Sequence, residues 1–231
     1  MSDFGRRLLD LIAPRACAVC GRRLAPTEQL VCANCNRELP RCDFAAAPYD
    51  HEMARMFFGR LPVERVAAFG YYEPAGPLSR IISRFKYRGF DDEAVLMGRM
   101  MAAELLPTGF FEGIDMLVPT PLAPRRLRQR GYNQSERLAR GIHDVTGLPV
   151  ECRAVERTTF LSSQTHKDRW QRADNVEDAF RMLDGRRVAG KQVLLIDDVA
   201  TTGATLCGCG RCLTAVEGVK LSILTVGFAK G

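Results

Sequence analysis

The sequence contains no apolar run approaching the ~20 residues that a bilayer-spanning helix needs. Runs such as Val193–Ile196 are only strand-sized, which argues against membrane insertion. Lysine is scarce: only residues 86, 167, 191, 220 and 230 among 33 basic side chains. The stretch Met1–Pro14 has Asp10 among its leucines and no small-residue cleavage site, so it does not read as a secretory signal. The expected location is the cytoplasm. There is no internal repeat and no low-complexity segment.

What is present suits a folded protein. The 231 residues allow one good-sized domain plus a small appendage. Apolar residues at 46% and charged residues at 26% are ordinary for a chain that buries a core. The net charge of +6 is carried almost wholly by arginine. Planar guanidinium suits bidentate phosphate contact, although an arginine-rich genome gives the same bias. The nine cysteines are an odd number, against a complete disulfide framework. In a reducing compartment, cysteine pairs at short spacing more often hold metal.

Two regions differ in pattern. Residues 1–59 have four closely spaced cysteines and little apolar periodicity, and read as a small metal-stapled module with an N-terminal helix. Residues 60–231 alternate strand-like and helix-like segments. Arg65–Tyr72 reads as a strand, and Leu78, Ile81, Ile82 and Phe85 fall at helical spacing. Asp115–Val118 reads as a short strand, followed by a helix with Leu138, Ile142 and Val145 on its apolar face. Val193–Ile196 and Leu221–Val226 read as further strands. Such alternation predicts an α/β fold with a parallel sheet covered on both faces. Residues 151–181 are the least regular and read as a long loop.

The sharpest motif is VLLIDDVATTGAT, residues 193–205. Four apolar residues predict a buried strand, with Asp197 and Asp198 emerging at its carboxyl end, where open α/β sheets bind ligands. Ala200, Thr201, Thr202, Gly203, Ala204 and Thr205 then form a loop of small and hydroxyl residues. Gly203 allows close backbone approach, and the start of the next helix makes an anion seat. A phosphate in that loop leaves the two carboxylates placed for vicinal sugar hydroxyls or a hydrated Mg²⁺. The segment resembles the phosphoribosyl-pyrophosphate (PRPP) motif of the type I phosphoribosyltransferases, matched without a gap.

Cys17-x2-Cys20 and Cys32-x2-Cys35 repeat one spacing and offer four thiolates, the ligand set of structural zinc. Gly21 and Asn36 follow the two knuckles and are residue types that tolerate a left-handed turn. Cys42 is left over. Between Arg125 and Arg140 six arginines face one acid, Glu136, around Arg130-Gly131-Tyr132-Asn133-Gln134. Arg125, Arg126, Arg130, Tyr132, Asn133 and Gln134 are candidates to clamp phosphates or stack a base; the alternative is a solvated helix face with an ordinary turn. Lys86 and Arg88, at the end of the preceding helix pattern, join them as basic candidates, although helix electrostatics favours cations there too. Gln164, Lys167, Arg169 and Arg172 lie in the irregular loop and are candidates to close over a leaving group, or simply belong to a surface loop. Cys207, Cys209 and Cys212 fit core packing better than metal, since Cys207 points away from the other two on a helix. His51 and His143 have no ligand-spaced partners.

The cysteine pairs, FKYRG at 85–89, VPTPL at 118–122, RGYNQSERLA at 130–139, the 164–180 stretch and the PRPP segment occur in the order seen in the ComF family of competence-associated phosphoribosyltransferase-like proteins. The resemblance covers nearly the whole chain. It implies a type I phosphoribosyltransferase-like parallel sheet flanked by helices, with an N-terminal zinc ribbon. It further implies PRPP binding with Mg²⁺, pyrophosphate contact at Pro119, Thr120 and Pro121, and a hood over the site at about residues 158–175. Link to natural transformation follows too, with single-stranded DNA and competence proteins as candidate partners and an oligomer as a candidate state. Neither the acceptor of a phosphoribosyl group nor retention of catalysis is implied. A non-catalytic DNA-binding or adaptor protein on the same scaffold is the alternative. Many family members carry further cysteines after the first four; here only Cys42 remains in residues 1–59, which argues against a second zinc.

Overall fold

The computed structural model describes residues 14–86, 90–158 and 179–230. Its elements run α1 (Ala33–Glu38), α2 (Glu52–Arg55), β1 (Arg65–Tyr71), α3 (Pro77–Arg84), α4 (Asp91–Leu105), β2 (Met116–Pro119), α5 (Pro124–Arg130), α6 (Gln134–Thr146), β3 (Val155–Arg157), β4 (Phe180–Met182), β5 (Gln192–Ala200), α7 (Ala204–Thr214) and β6 (Lys220–Phe228). Short 3-10 turns fill some of the connections.

Four strands form one parallel sheet in the order β1-β6-β5-β2, and β3 pairs antiparallel with β4. β5 and β6 are buried along nearly their whole length. That is why their sequences read as continuous apolar runs rather than alternations: helices cover both faces. The expected architecture, a parallel sheet flanked by helices with a small cysteine module, is the one observed. Among the described residues, no helix is long and apolar enough to cross a membrane.

α4 and α6 cross at glycine contact. A Cβ on Gly98 would lie 2.1 Å from the carbonyl oxygen of Leu138, and one on Gly141 would lie 2.0 Å from that of Val95. Only glycine permits backbones this close, and the contact seats α6 against β2 and β5 with Leu138 and Ile142 fully buried. Val145, expected on the same apolar face, is instead 37% exposed. It lies in the last turn, beyond the crossing.

The cysteine module is stitched to the outer edge of β1. Tyr71 N–H donates to the Pro40 carbonyl at 2.7 Å and Cys42 N–H to that of Phe69 at 3.2 Å. Covering that edge removes a row of free backbone groups. Arg41 adds a bidentate pair with Glu104 of α4 (2.6 and 2.7 Å) and lies 5.1 Å over the Phe69 ring. The buried apolar side chains of module and sheet form one continuous cluster.

Candidate functional site

The Gln192–Ala200 strand is longer than its four apolar residues suggest. It runs through both aspartates, pairing Asp197 with Thr225 and Ala200 with Phe228 of β6. The carboxylates therefore sit in the second half of a central strand, not beyond its end. Asp197 is 6% exposed and Asp198 half-buried. Asp197 Oδ1 accepts from the Ser135 hydroxyl at 3.0 Å and from the Asp198 N–H at 2.9 Å. Burial pushes the Asp197 carboxyl up to about 7, the charge of Asp198 adding to the rise while Asp198 N–H, Ser135 and Arg157 oppose it. Asp198 Oδ1 accepts from Val199 N–H at 2.8 Å.

Beyond Ala200, Thr201 and Thr202 are exposed and Gly203 is buried at the N-terminus of α7. Gly203 has φ +73°, and a Cβ there would meet Met56 Sδ at 2.7 Å. Arg60 Nη1 donates to the Thr202 carbonyl at 2.9 Å and that of Met56 at 3.3 Å. The turn following α2 thus braces the loop from below, and Ala204 and Thr205 open the helix half-exposed.

Pro119 ends β2, next to Ile196 of β5, which places the 119–121 segment beside the aspartates. Thr120 is 4% exposed; its N–H donates to the Ile196 carbonyl at 2.9 Å, and its buried Oγ1 has no hydrogen-bond partner. Asn133 links this loop to α6: its Nδ2 donates to the Thr120 carbonyl at 3.0 Å while its Oδ1 caps the helix at Ser135 N–H.

The residues expected to contact nucleic acid divide in two. Arg125 and Arg126 lie exposed on α5, a helix with no buried residue, and Lys86 is exposed just past α3. Tyr132 and Gln134, in contrast, are buried. The Tyr132 hydroxyl donates to the Phe85 carbonyl, and Arg130 Nη1 to Gln134 Oε1. Tyr132 is not free to stack a base; it ties Phe85, at the end of α3, to the start of α6. Half-buried Arg130 is held below the usual arginine range by burial, with Asp198 opposing the shift. Arg88 and the hood candidates Gln164, Lys167, Arg169 and Arg172 lie outside the described residues.

Two participants escaped sequence reasoning, Ser135 and Arg157. Arg157 ends β3 with its guanidinium 5.2 Å over the Phe180 ring. It lines a cavity of about 300 Å³ together with Pro119, Pro121 and Asn133.

Away from the sheet, Cys17, Cys20, Cys32 and Cys35 bring their four sulfurs within 4.8 Å of one another. Cys20 and Cys32 are 3.8 Å apart, and the edge of an S₄ tetrahedron around zinc, with Zn–S near 2.3 Å, is about 3.8 Å. The donors and spacing therefore fit structural zinc. Gly21 adopts the left-handed turn, φ +72°. Asn36 does not: it lies inside α1, where its Oδ1 accepts from Arg41. Cys42 is outside the cluster, and burial pushes its thiol up to about 12. Cys207 and Cys209 are core residues. His51 is structural, capping α2 and stacked on Phe44 at 4.0 Å.

Residues 8–57 match the double zinc ribbon domain family. The described residues hold one four-thiol cluster. Over 206 residues the chain is 28% identical to the DNA utilization protein YhgH of Salmonella typhimurium, covering 85% of this chain and 89% of that protein. With Competence protein F of Haemophilus influenzae it shares 24% over 200 residues, 82% of this chain and 86% of that one. Over most of its length the chain is thus similar to proteins named for competence and for DNA utilization. Competence protein ComFC of Bacillus subtilis aligns at 29% identity over 136 residues, 59% of this chain and 53% of its own. Solved structures of related shape include the glutamine PRPP amidotransferase from B. subtilis, at 19% identity and TM-score 0.39, covering 58% of this chain but only 26% of the amidotransferase. An alanine mutant made to study an invariant aspartic acid in HPRTs overlaps at 14% identity and TM-score 0.35, covering 58% of this chain and 67% of the mutant. Overlaps this slight have no bearing on the site. The chain is a parallel sheet flanked by helices that carries an N-terminal zinc ribbon.

Proposed function

We propose that the protein binds Mg-PRPP at the carboxyl ends of β2 and β5. The observation that carries this reading is Asp197: a carboxylate buried at the end of a central strand, pinned by Ser135, beside Asp198 and an exposed threonine loop. The hydrogen bonds from Ser135 and from the Asp198 N–H both go to Oδ1, so vicinal ribose hydroxyls can donate to the other carboxylate oxygen. The 200–205 loop and the N-terminus of α7 take the 5-phosphate, and the 119–121 loop takes the diphosphate, which arrives with its Mg²⁺. The metal shields diphosphate charge and improves it as a leaving group.

The reaction this geometry supports is phosphoribosyl transfer. The bond from C1 to the diphosphate oxygen breaks, the electron pair leaves with pyrophosphate, and an acceptor nucleophile forms the new bond at C1. Fixed cations next to the departing charge lower the barrier, with Lys167, Arg169 and Arg172 as further candidates and Gln164 as a polar contact in a closing hood. The biological setting is DNA uptake, as the names of its homologues suggest, in the cytoplasm.

A second reading is favoured by α5, whose exposed arginines 125 and 126 form a cationic face that suits a polyanion. In it the chain is a non-catalytic single-stranded-DNA-binding or adaptor protein that keeps the phosphate seat as scaffold. Calorimetric titration with PRPP and Mg²⁺, run with Asp197→Ala/Asp198→Ala alongside, separates the two. Binding lost in the double variant supports the PRPP site. Absence of binding in both, with salt-sensitive DNA binding retained by the double variant, supports the adaptor.

A further inference from the structure

The half-buried arginines Arg65 and Arg130 donate to backbone carbonyls and to the Gln134 amide oxygen respectively, and other arginines have acidic partners. Arg41 pairs with Glu104, Arg84 with Glu93, and Arg187 with Glu151. Arg157 is the contrast. The acid adjoining it in sequence, Glu156, is held by Arg181 across the β3–β4 pair at 2.5 Å. Among the described residues no acid lies within ion-pair distance of Arg157. Its plane rests on Phe180, and it lines the same cavity as Pro119, Pro121 and Asn133, together with Arg153 and the acids Glu136 and Glu156, the latter held by Arg181.

A guanidinium withdrawn from water without a counter-ion is unfavourable, so the fold retains a cost that an anion would relieve. The surroundings sharpen the point. Burial lowers the pKa of Arg157, Arg126 on α5 acts in the same direction, and Asp197 opposes them. Arg157 therefore lies within electrostatic reach of both the ribose carboxylate and a second unpaired arginine. In the 119–121 loop, the buried Thr120 hydroxyl also lacks a partner.

We propose that Arg157 receives the diphosphate end of the ligand, in the cavity it shares with the 119–121 loop, with Arg126 as the second cation. The assignment rests on the PRPP reading and deepens it. β3 is a rigid, paired strand, so its terminal guanidinium is pre-positioned. Its flat fork matches two phosphate oxygens in a way lysine cannot. The Asp197/Asp198 pair then handles the sugar and Arg157 the leaving group, two separable halves of one site.

The separation gives the test. Wild type, Arg157→Gln and Asp197→Asn/Asp198→Asn are each titrated with ribose 5-phosphate and with inorganic pyrophosphate plus Mg²⁺. Arg157→Gln is expected to weaken pyrophosphate at least tenfold and to leave ribose 5-phosphate within twofold; the aspartate variant is expected to show the reverse. Pyrophosphate binding unchanged in Arg157→Gln overturns the assignment, whereas failure of wild type to bind ribose 5-phosphate or PRPP overturns the reading beneath it. A second measurement needs no variant. Modification of Arg157 by phenylglyoxal in the wild-type chain, followed by peptide mass spectrometry, should be suppressed by Mg-pyrophosphate and not by ribose 5-phosphate. Equal modification with and without pyrophosphate overturns the proposal even where Arg157→Gln does not fold.

Discussion

Ser135, in the first turn of α6, donates its hydroxyl to Asp197 Oδ1 at 3.0 Å across 62 residues of sequence. Both residues are buried, Ser135 completely. The bond fixes the carboxylate rotamer, and Asn133 fixes Ser135 by capping the same helix. Hydrogen bonds to charged groups contribute about 1.5–3 kcal/mol. Ser135→Ala is therefore expected to weaken PRPP binding by roughly tenfold or more, with Ser135→Thr closer to wild type. Calorimetry checks it; wild-type affinity in the alanine variant would remove Ser135 from the site.

Asp197 also sets a pH dependence. Its folded-state carboxyl is raised to about 7, against 3.8 without the fold. The folded state then binds the proton more tightly than the unfolded state. Stability from this group is present below pH ~4, falls as pH rises toward ~7, and is flat above. At 1.36 kcal/mol per unit, the fall between pH 5 and 7 is roughly 2 to 3 kcal/mol. Urea unfolding of the ligand-free protein at pH 5 and 8, compared with Asp197→Asn, isolates the effect, because the asparagine variant lacks the fall. Parallel curves for the two proteins would show that Asp197 titrates normally.

Gly203 carries two independent demands, a left-handed backbone and a Cβ position 2.7 Å from Met56 Sδ. Gly203→Ala should destabilise by about 1–3 kcal/mol and displace the 200–205 loop. Met56→Ala in the same chain relieves the clash but not the dihedral strain, so melting temperature should recover only in part. Full recovery would mean that crowding alone explains the glycine.

The sequence revealed the parts with local signatures. Repeated C-x-x-C spacing, an apolar run before two acids and the 77–84 helical period each have their cause within a few residues, and each reappears in the structure. Contacts made across long loops were hidden. Nothing near Ser135 or Arg157 announces a role, since one depends on α6 reaching β5 and the other on β3 pairing with β4. The end of β5 was misjudged because charged residues ordinarily stop a buried run. Here Ser135 and backbone N–H groups satisfy the two acids, so the strand continues to Ala200. Tyr132 was misplaced for a similar reason: an aromatic amid arginines suggests a surface, and its hydroxyl partner, Phe85, is 47 residues away.

The zinc ribbon and the 200–205 loop, finally, are mechanically joined. The chain leaves the four-thiol cluster and passes along β1. It then forms α2, and the following turn sets Met56 and Phe57 beneath Gly203 and Arg60 against the Thr202 carbonyl. A structural zinc supplies much of the folding free energy of so small a module. Removing it should therefore loosen the loop's support as well as the ribbon. Native mass spectrometry is expected to find one zinc per chain, retained in Cys42→Ser and lost in Cys35→Ser. Cys35→Ser should melt lower and bind PRPP more weakly, and Arg60→Ala should lose PRPP affinity with its zinc intact. Wild-type PRPP affinity in protein stripped of zinc would show that the loop stands without the ribbon, and would confine the metal to folding the N-terminal module.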